Sequence, residues 1–171
     1  PSQRLPARPP ALEKDYPIPP VPFTAVRLTD KFWKPRLDDL LRITIPHELD
    51  ELNSTGRVKN FRLAAEKIET GETAGSFCTQ YPFDDSDLFK VIEGISYLLQ
   101  IYHDEGLKAR MDSLISLIAA AQEPDGYLYT ARTIDPLHPM EWSGLHRWEN
   151  EEKLSHELYN AGHLYQAAAA N

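Results

Sequence analysis

Apolar positions in this chain recur every three or four residues, the period of an α-helix. Leu37, Leu40, Leu41 and Thr44 share one face of a helix that begins near Lys34 or Pro35. Pro35 is tolerated in a first turn, where its missing N–H has no helical partner. Pro46 lies inside the run and predicts a kink or a restart before Leu49 and Leu52. Gly56 closes the element, and Asn60 and Phe61 fall in a connector running to Phe83. A second helix carries Leu88, Val91, Ile92, Ile95, Leu98 and Leu99. Asp84-Asp85-Ser86-Asp87 stands at its start, supplying capping oxygens and negative charge. A third runs from about Leu107 to Gln122 with Met111, Leu114, Ile115, Ile118 and Ala121 on one face, and Pro124-Asp125-Gly126 turns the chain. A fourth occupies Glu151 or Lys153 to Ala170.

Strand signals are few. Phe23 to Leu28 alternates, and Tyr127-Leu128-Tyr129 is a candidate for a brief strand. The fold class is therefore mainly α, with two helical hairpins. On the fourth helix, Leu154, Leu158, Ala161, Tyr165 and Ala168 form one face, while His156, Tyr159, His163 and Ala170 form the opposite one. Neither face is charged, which predicts a helix packed on both sides. That suits the inner layer of a two-layer helical barrel. The second helix shares the habit apart from Lys90 and Glu93; the first and third carry more charge and read as outer helices. Residues 1–22 are proline-rich and form an arm, and residues 23–171 form the helical unit.

Composition narrows the partners. The 171 residues are 42% hydrophobic and 26% charged, ordinary for a globular protein. Asp and Glu number 26 against 18 Lys and Arg, for a net charge of −8. Such a surface repels nucleic acid and anionic membrane, so neither is an expected partner, while neutral sugars remain compatible. No stretch reaches membrane-spanning length. The chain opens on Pro1 rather than Met; periplasmic, secreted and cytoplasmic placements all fit. It ends one residue after a run of four alanines without a cap, and the expectation is a larger protein.

Candidate chemistry gathers in three places. His156-Glu157-Leu158-Tyr159-Asn160 starts like a zinc protease motif, but Asn160 stands where the second histidine must be. His163 is two turns from His156, too far along the axis to share one metal. Two histidines hydrogen-bonded in a core is the bland reading; a His156 directed into a pocket is the functional one. Asp84, Asp85 and Asp87 form a carboxylate cluster, and paired carboxylates are the usual tools of glycoside hydrolysis. For Asp84 capping is the expected role, and the pattern leaves Asp85 and Asp87 open between the two roles. Trp142, His146 and Trp148 lie in a polar loop, placed either to stack on sugars or to plug helix gaps. Cys78, the single cysteine, has no base or cation beside it in sequence and reads as incidental.

Five segments occur in order: Phe32-Trp33, Gly56 to Phe61, Phe83 to Lys90 with Glu93, Ala121-Gln122 with Asp125 to Leu128, and His156 to Tyr159 with Gly162-His163-Leu164. Together they resemble the N-terminal region of glycoside hydrolase family 127, the β-L-arabinofuranosidase family. The resemblance covers roughly Phe23 to Ala170. It implies an (α/α) six-hairpin barrel, of which this chain would hold the first two hairpins. It implies a retaining exo-glycosidase whose nucleophile is a zinc-bound cysteine, with a glutamate acid/base, all placed after Asn171. This segment itself is expected to bind no zinc and to hold no catalytic residue. It implies that His156 contacts substrate at the start of an inner helix. It implies that Asp85 and Asp87, which match the family's Asp-Ser-Asp motif, lie near the sugar pocket or its scaffold, and His163 is a further candidate. The expected partners are a carbohydrate substrate and the remainder of the catalytic domain. A non-catalytic helical sugar-binding module and another helical-barrel enzyme, such as an unsaturated uronyl hydrolase, are the competing readings.

Overall fold

The computed structural model describes residues 18–171, so most of the expected proline-rich arm lies outside the described residues. A 3-10 turn, Phe23–Ala25, stands where the alternating pattern predicted a strand. No strand forms among the described residues, because no extended neighbour offers a ladder of backbone partners. Tyr127 to Tyr129 is likewise unpaired by strand, contrary to expectation.

Helix α1 (Trp33–Asp39), a π-helical turn (Leu40–Thr44) and α2 (Ile45–Ser54) follow without a break. Pro46 therefore neither ends nor restarts the helix. Its ring would strike the carbonyl four residues back, and the wider turn before it opens that space. Ile45, Leu49 and Leu52 are buried on the α2 face.

The expected connector after Gly56 is in fact a helix, α3 (Arg57–Thr70), which buries Val58, Phe61, Leu63 and Ala64. Gly56, at φ +90°, both ends α2 and begins α3. A β-carbon there would stand 2.7 Å from the Cys78 β-carbon, so the position takes glycine for space as well as conformation. Reading that glycine only as a stop hid the Val58, Phe61, Ala64 spacing behind it.

Helices α4 (Asp85–Leu99) and α5 (Glu105–Ala120) form as the periodicity predicts. The Asp104 carboxylate caps α5 by accepting from the Leu107 N–H at 2.9 Å. A four-residue turn, α6 (Thr130–Thr133), interrupts the long loop. The last helix, α7, spans Glu157–Ala170.

Packing centres on α4. Leu88, Phe89, Ile92, Ile95 and Leu98 are buried, and Phe89 meets Phe61 edge-on at 5.8 Å. Each such side chain contributes about 1.5–3 kcal/mol by leaving water. Helices α4 and α7 run parallel: Phe83 before α4 touches His156 before α7, and Gln100 after α4 donates to the Ala170 carbonyl at 2.8 Å. Helix α2 runs against α4, since Ile45 lies beside Gly94 while Arg57 reaches Asp87. Helix α5 also returns against α4, with Ser96 Oγ 3.5 Å from Met111 Sδ. The parallel pair thus has antiparallel companions, the alternation of an (α/α) barrel. No helix among the described residues is long and apolar enough to cross a membrane.

Candidate functional site

The starts of α4 and α7 lie at one end of the parallel pair, and the sequence-predicted residues gather there. Asp84 occupies the capping position of α4, yet its side chain makes no cap hydrogen bond. It pairs instead with Arg57 at 3.4 Å, correcting the capping expectation. Burial raises its pKa, against the pull of the Arg57 charge. Asp87 accepts from Arg57 Nε at 2.6 Å and lies 3.6 Å from Lys90 Nζ. Asp85 turns the other way. It is 2% exposed, and its two oxygens accept from the Thr130 N–H at 2.8 Å and the Thr130 hydroxyl at 2.6 Å. Burial pushes its pKa up to about 7 despite both bonds.

His156 sits at the capping position of α7 in the left-handed conformation, φ +51° and ψ +37°. A β-carbon is strained there, by roughly 1–2 kcal/mol. Both flanking residues are pinned. The Tyr129 hydroxyl donates to the Ser155 carbonyl at 2.6 Å. The Glu157 carboxylate accepts from the Tyr127 hydroxyl at 2.5 Å and the Trp148 N–H at 2.8 Å. Arg132 is buried beside it, 3.8 Å from the carboxylate, and donates to the carbonyls of Ser143, Gly144 and His146. Glu151, one of the two residues expected to begin the helix, caps it instead: its carboxylate accepts from the N–H of Glu157 at 2.6 Å and of Leu158 at 3.2 Å. The helix therefore begins at Glu157, later than the pattern suggested.

An aromatic row crosses this end. Trp142 stacks on Tyr81 at 5.7 Å, Tyr81 on Phe83 at 5.3 Å, and Phe83 meets His156 at 4.7 Å. Tyr159 continues it, with Lys90 Nζ 5.0 Å above its ring and His163 edge-on at 4.5 Å. His163 Nδ1 is buried without a partner. Of the loop residues, Trp142 joins this row, while Trp148 packs edge-on against Tyr127 and His146 lies exposed. Cys78 is free and exposed, its thiol near the Ser76 carbonyl.

Glu157, Arg132 and Thr130 carry the architecture here, and sequence reasoning did not assign them roles. Glu157 stood next to the suspected histidine and was the one visible signal; Arg132 gave none. Among the described residues no three His, Cys, Asp or Glu side chains gather into a metal-binding group.

Parallel inner helices with a charged, aromatic-lined mouth define a partial (α/α) barrel. The chain belongs to the family described as beta-L-arabinofuranosidase, GH127 catalytic domain, matched over residues 25–171. It is 33% identical over 164 residues to a non-reducing end beta-L-arabinofuranosidase of Bifidobacterium longum subsp. longum, covering 85% of this chain and 23% of that protein. A solved GH127 beta-arabinofuranosidase superposes with a TM-score of 0.80 at 49% identity, over 91% of this chain and 24% of its own. A GH127 beta-L-arabinofuranosidase from Geobacillus stearothermophilus T6 gives 0.73 and 38%, over 85% and 22%. The chain spans about a quarter of the length of these relatives.

Proposed function

We propose that this chain is the substrate-facing N-terminal part of a retaining exo-glycoside hydrolase that releases β-L-arabinofuranose, or a related furanoside, from plant-type glycans. One observation carries the reading: His156 is held in a strained conformation, with both backbone neighbours locked, beside Phe83 and Tyr159. Strain retained at one polar residue by a fully bonded frame is a mark of a functional position. The imidazole orients a sugar hydroxyl, so its contribution is positioning rather than bond-breaking. Asp87, partly exposed between Arg57 and Lys90, supplies acceptor oxygens to a second hydroxyl. Asp85 supports the mouth from inside through Thr130. His163 has its Nδ1 sealed, which leaves Nε2 as the atom to meet a ligand.

The nucleophilic cysteine, its zinc and the acid/base glutamate belong in this proposal to other polypeptide of the catalytic domain, which is this chain's principal partner. The test is hydrolysis of an aryl β-L-arabinofuranoside by the full-length enzyme. His156→Ala should lower kcat/KM by about 100-fold, the scale of a lost orienting contact. A full-length enzyme that leaves this substrate intact, but releases unsaturated uronic acids, sinks the reading.

A further inference from the structure

We propose that Glu157 is a positioning residue for the reaction: its buried carboxylate holds the His156 imidazole in the orientation that meets a sugar hydroxyl. This rests on the glycosidase reading above and adds to it the group on which that orientation depends.

A glutamate in the first turn of a helix normally stays in water, where it offsets the positive end of the helix dipole. Glu157 is instead 2% exposed. Capping does not require it, because the Glu151 carboxylate already takes the N–H groups of Glu157 and Leu158. The Glu157 side chain reaches back to the preceding loop. Its Oε1 accepts from the Trp148 N–H and its Oε2 from the Tyr127 hydroxyl. Tyr127 in turn accepts from Arg132 Nε at 3.2 Å. Burial, with the Glu157 carboxylate beside it, raises the Tyr127 pKa, so the hydroxyl keeps the proton it donates. Arg132 grips the same loop through the carbonyls of Ser143, Gly144 and His146. Carboxylate and guanidinium thus tie the loop to the start of α7 from both ends.

Backbone strain gathers around the same carboxylate. Among the described residues, the non-glycine positions with positive φ are Trp148, at +66°, and His156, at +51°. The first donates its N–H to Glu157, and the second precedes Glu157 in the chain. Residues with a β-carbon persist in the left-handed region only where their surroundings over-determine them. A buried ion pair gives little stability beyond apolar packing of the same volume, so the use of this one is geometric. Arg132 and Tyr127 are buried as Glu157 is, and the clamp is closed by this chain's own residues.

The experiment is a double-mutant cycle on hydrolysis of an aryl β-L-arabinofuranoside by the full-length enzyme. Glu157→Gln can still accept from the Trp148 N–H, but it turns an N–H toward Tyr127 and removes the charge facing Arg132. It should lower kcat/KM about tenfold with His156 present, and less than about twofold when added to His156→Ala, the scale of coupling between neighbouring groups. A glutamate that only stabilises the fold would cost the same factor in both backgrounds. Such additivity overturns the proposal, as does wild-type kcat/KM in Glu157→Gln. If Glu157→Gln fails to fold, Tyr127→Phe, which takes one donor from the carboxylate, enters the same cycle with an expected loss of about threefold that again disappears without His156. Wild-type enzyme that leaves the glycoside intact sinks the glycosidase reading instead. The clamp is then decided by a crystal structure of the full-length variant: His156 outside the left-handed region supports it, and an unchanged φ overturns it.

Discussion

The first turn of α7 and its middle, one turn further on, are finished to different degrees. At the start, buried polar groups are matched: Glu157, Arg132, Tyr127, Tyr129 and Ser155 all have partners. At Asn160, 1% exposed, both amide atoms lack any partner, and His163 Nδ1 lacks one too. A cavity of about 300 Å³ lies beside Asn160, lined by Leu128, Leu164 and Tyr165. The Leu158 and Tyr165 side chains, on a helix expected to be packed on both sides, are 64% and 69% exposed. A buried amide left unpaired costs about 1–3 kcal/mol, and exposed apolar rings add to that. The difference teaches where this stretch of chain is self-sufficient. It fixes His156 by itself, while the body of α7 is shaped for contact with something more.

The largest effect should come from breaking the finished end. Glu157→Ala removes the acceptor for Tyr127 and Trp148 and leaves Arg132 buried without its carboxylate. Loss of one member of a buried charged pair costs about 3–5 kcal/mol. Chemical denaturation should show a loss on that scale; a change below about 1 kcal/mol would mean that the clamp does not hold the turn. Asp85 gives the next effect, through pH. Its folded pKa, about 7, lies above the unfolded value near 3.8, so folding favours the protonated form. The group thus destabilises the fold as pH rises from about 4 to 7, and the penalty, of order a few kcal/mol, is complete above about pH 7. Asp85→Asn can accept from the Thr130 N–H and donate to its hydroxyl. The variant should match wild type at about pH 4 and exceed its Tm at about pH 8. Parallel Tm-against-pH curves for the two proteins would show that Asp85 does not titrate in this range.

The contrast also explains what the sequence disclosed. Periodicity revealed α4 and α5 because their apolar residues face one core with little interruption. It placed Asp84, Asp85, Asp87 and His156 at helix starts, and the structure brings those starts together. It could not separate Asp85 from Asp87, because which carboxylate turns inward depends on Thr130, 45 residues away. Helix α3 was missed for a local reason, one glycine serving two helices. The clamp on Glu157 was hidden for a tertiary one. Arg132 serves three loop carbonyls, and backbone acceptors leave no residue-type signature to read.

At the unfinished middle, Asn160→Leu should act in the opposite sense to Glu157→Ala. It replaces two unpaired buried polar atoms with apolar ones of similar size. In the 171-residue chain, denaturation should show a gain of about 1–2 kcal/mol. The same gain is expected in the full-length enzyme, because this chain already encloses the amide. A loss in both settings would show that Asn160 is already paired within this chain, and the contrast along α7 would fail.

The smallest effect on stability should be the most informative about function. His156 adopts φ +51°, a conformation that glycine reaches without a β-carbon clash and asparagine tolerates better than most residues. If the frame around it imposes this geometry for the sake of the imidazole, removing the side chain should relieve strain. His156→Gly should then be equal to wild type in stability or up to about 1 kcal/mol better, the glycine's extra unfolded-state freedom offsetting part of the relief. His156→Ala keeps the β-carbon clash and loses the Phe83 contact, so it should be the less stable of the two. His156→Asn should fall between them. Glycosidase activity of the full-length enzyme should fall in all three alike, because each lacks the imidazole. Stability and activity then move in opposite directions at one residue, as they do where a fold holds a strained group for its chemistry. The ordering of the three variants in Tm, set against their common loss in kcat/KM, is the measurement. A glycine variant less stable than the alanine one would place the cost elsewhere than in the backbone, and His156 would be an ordinary capping residue.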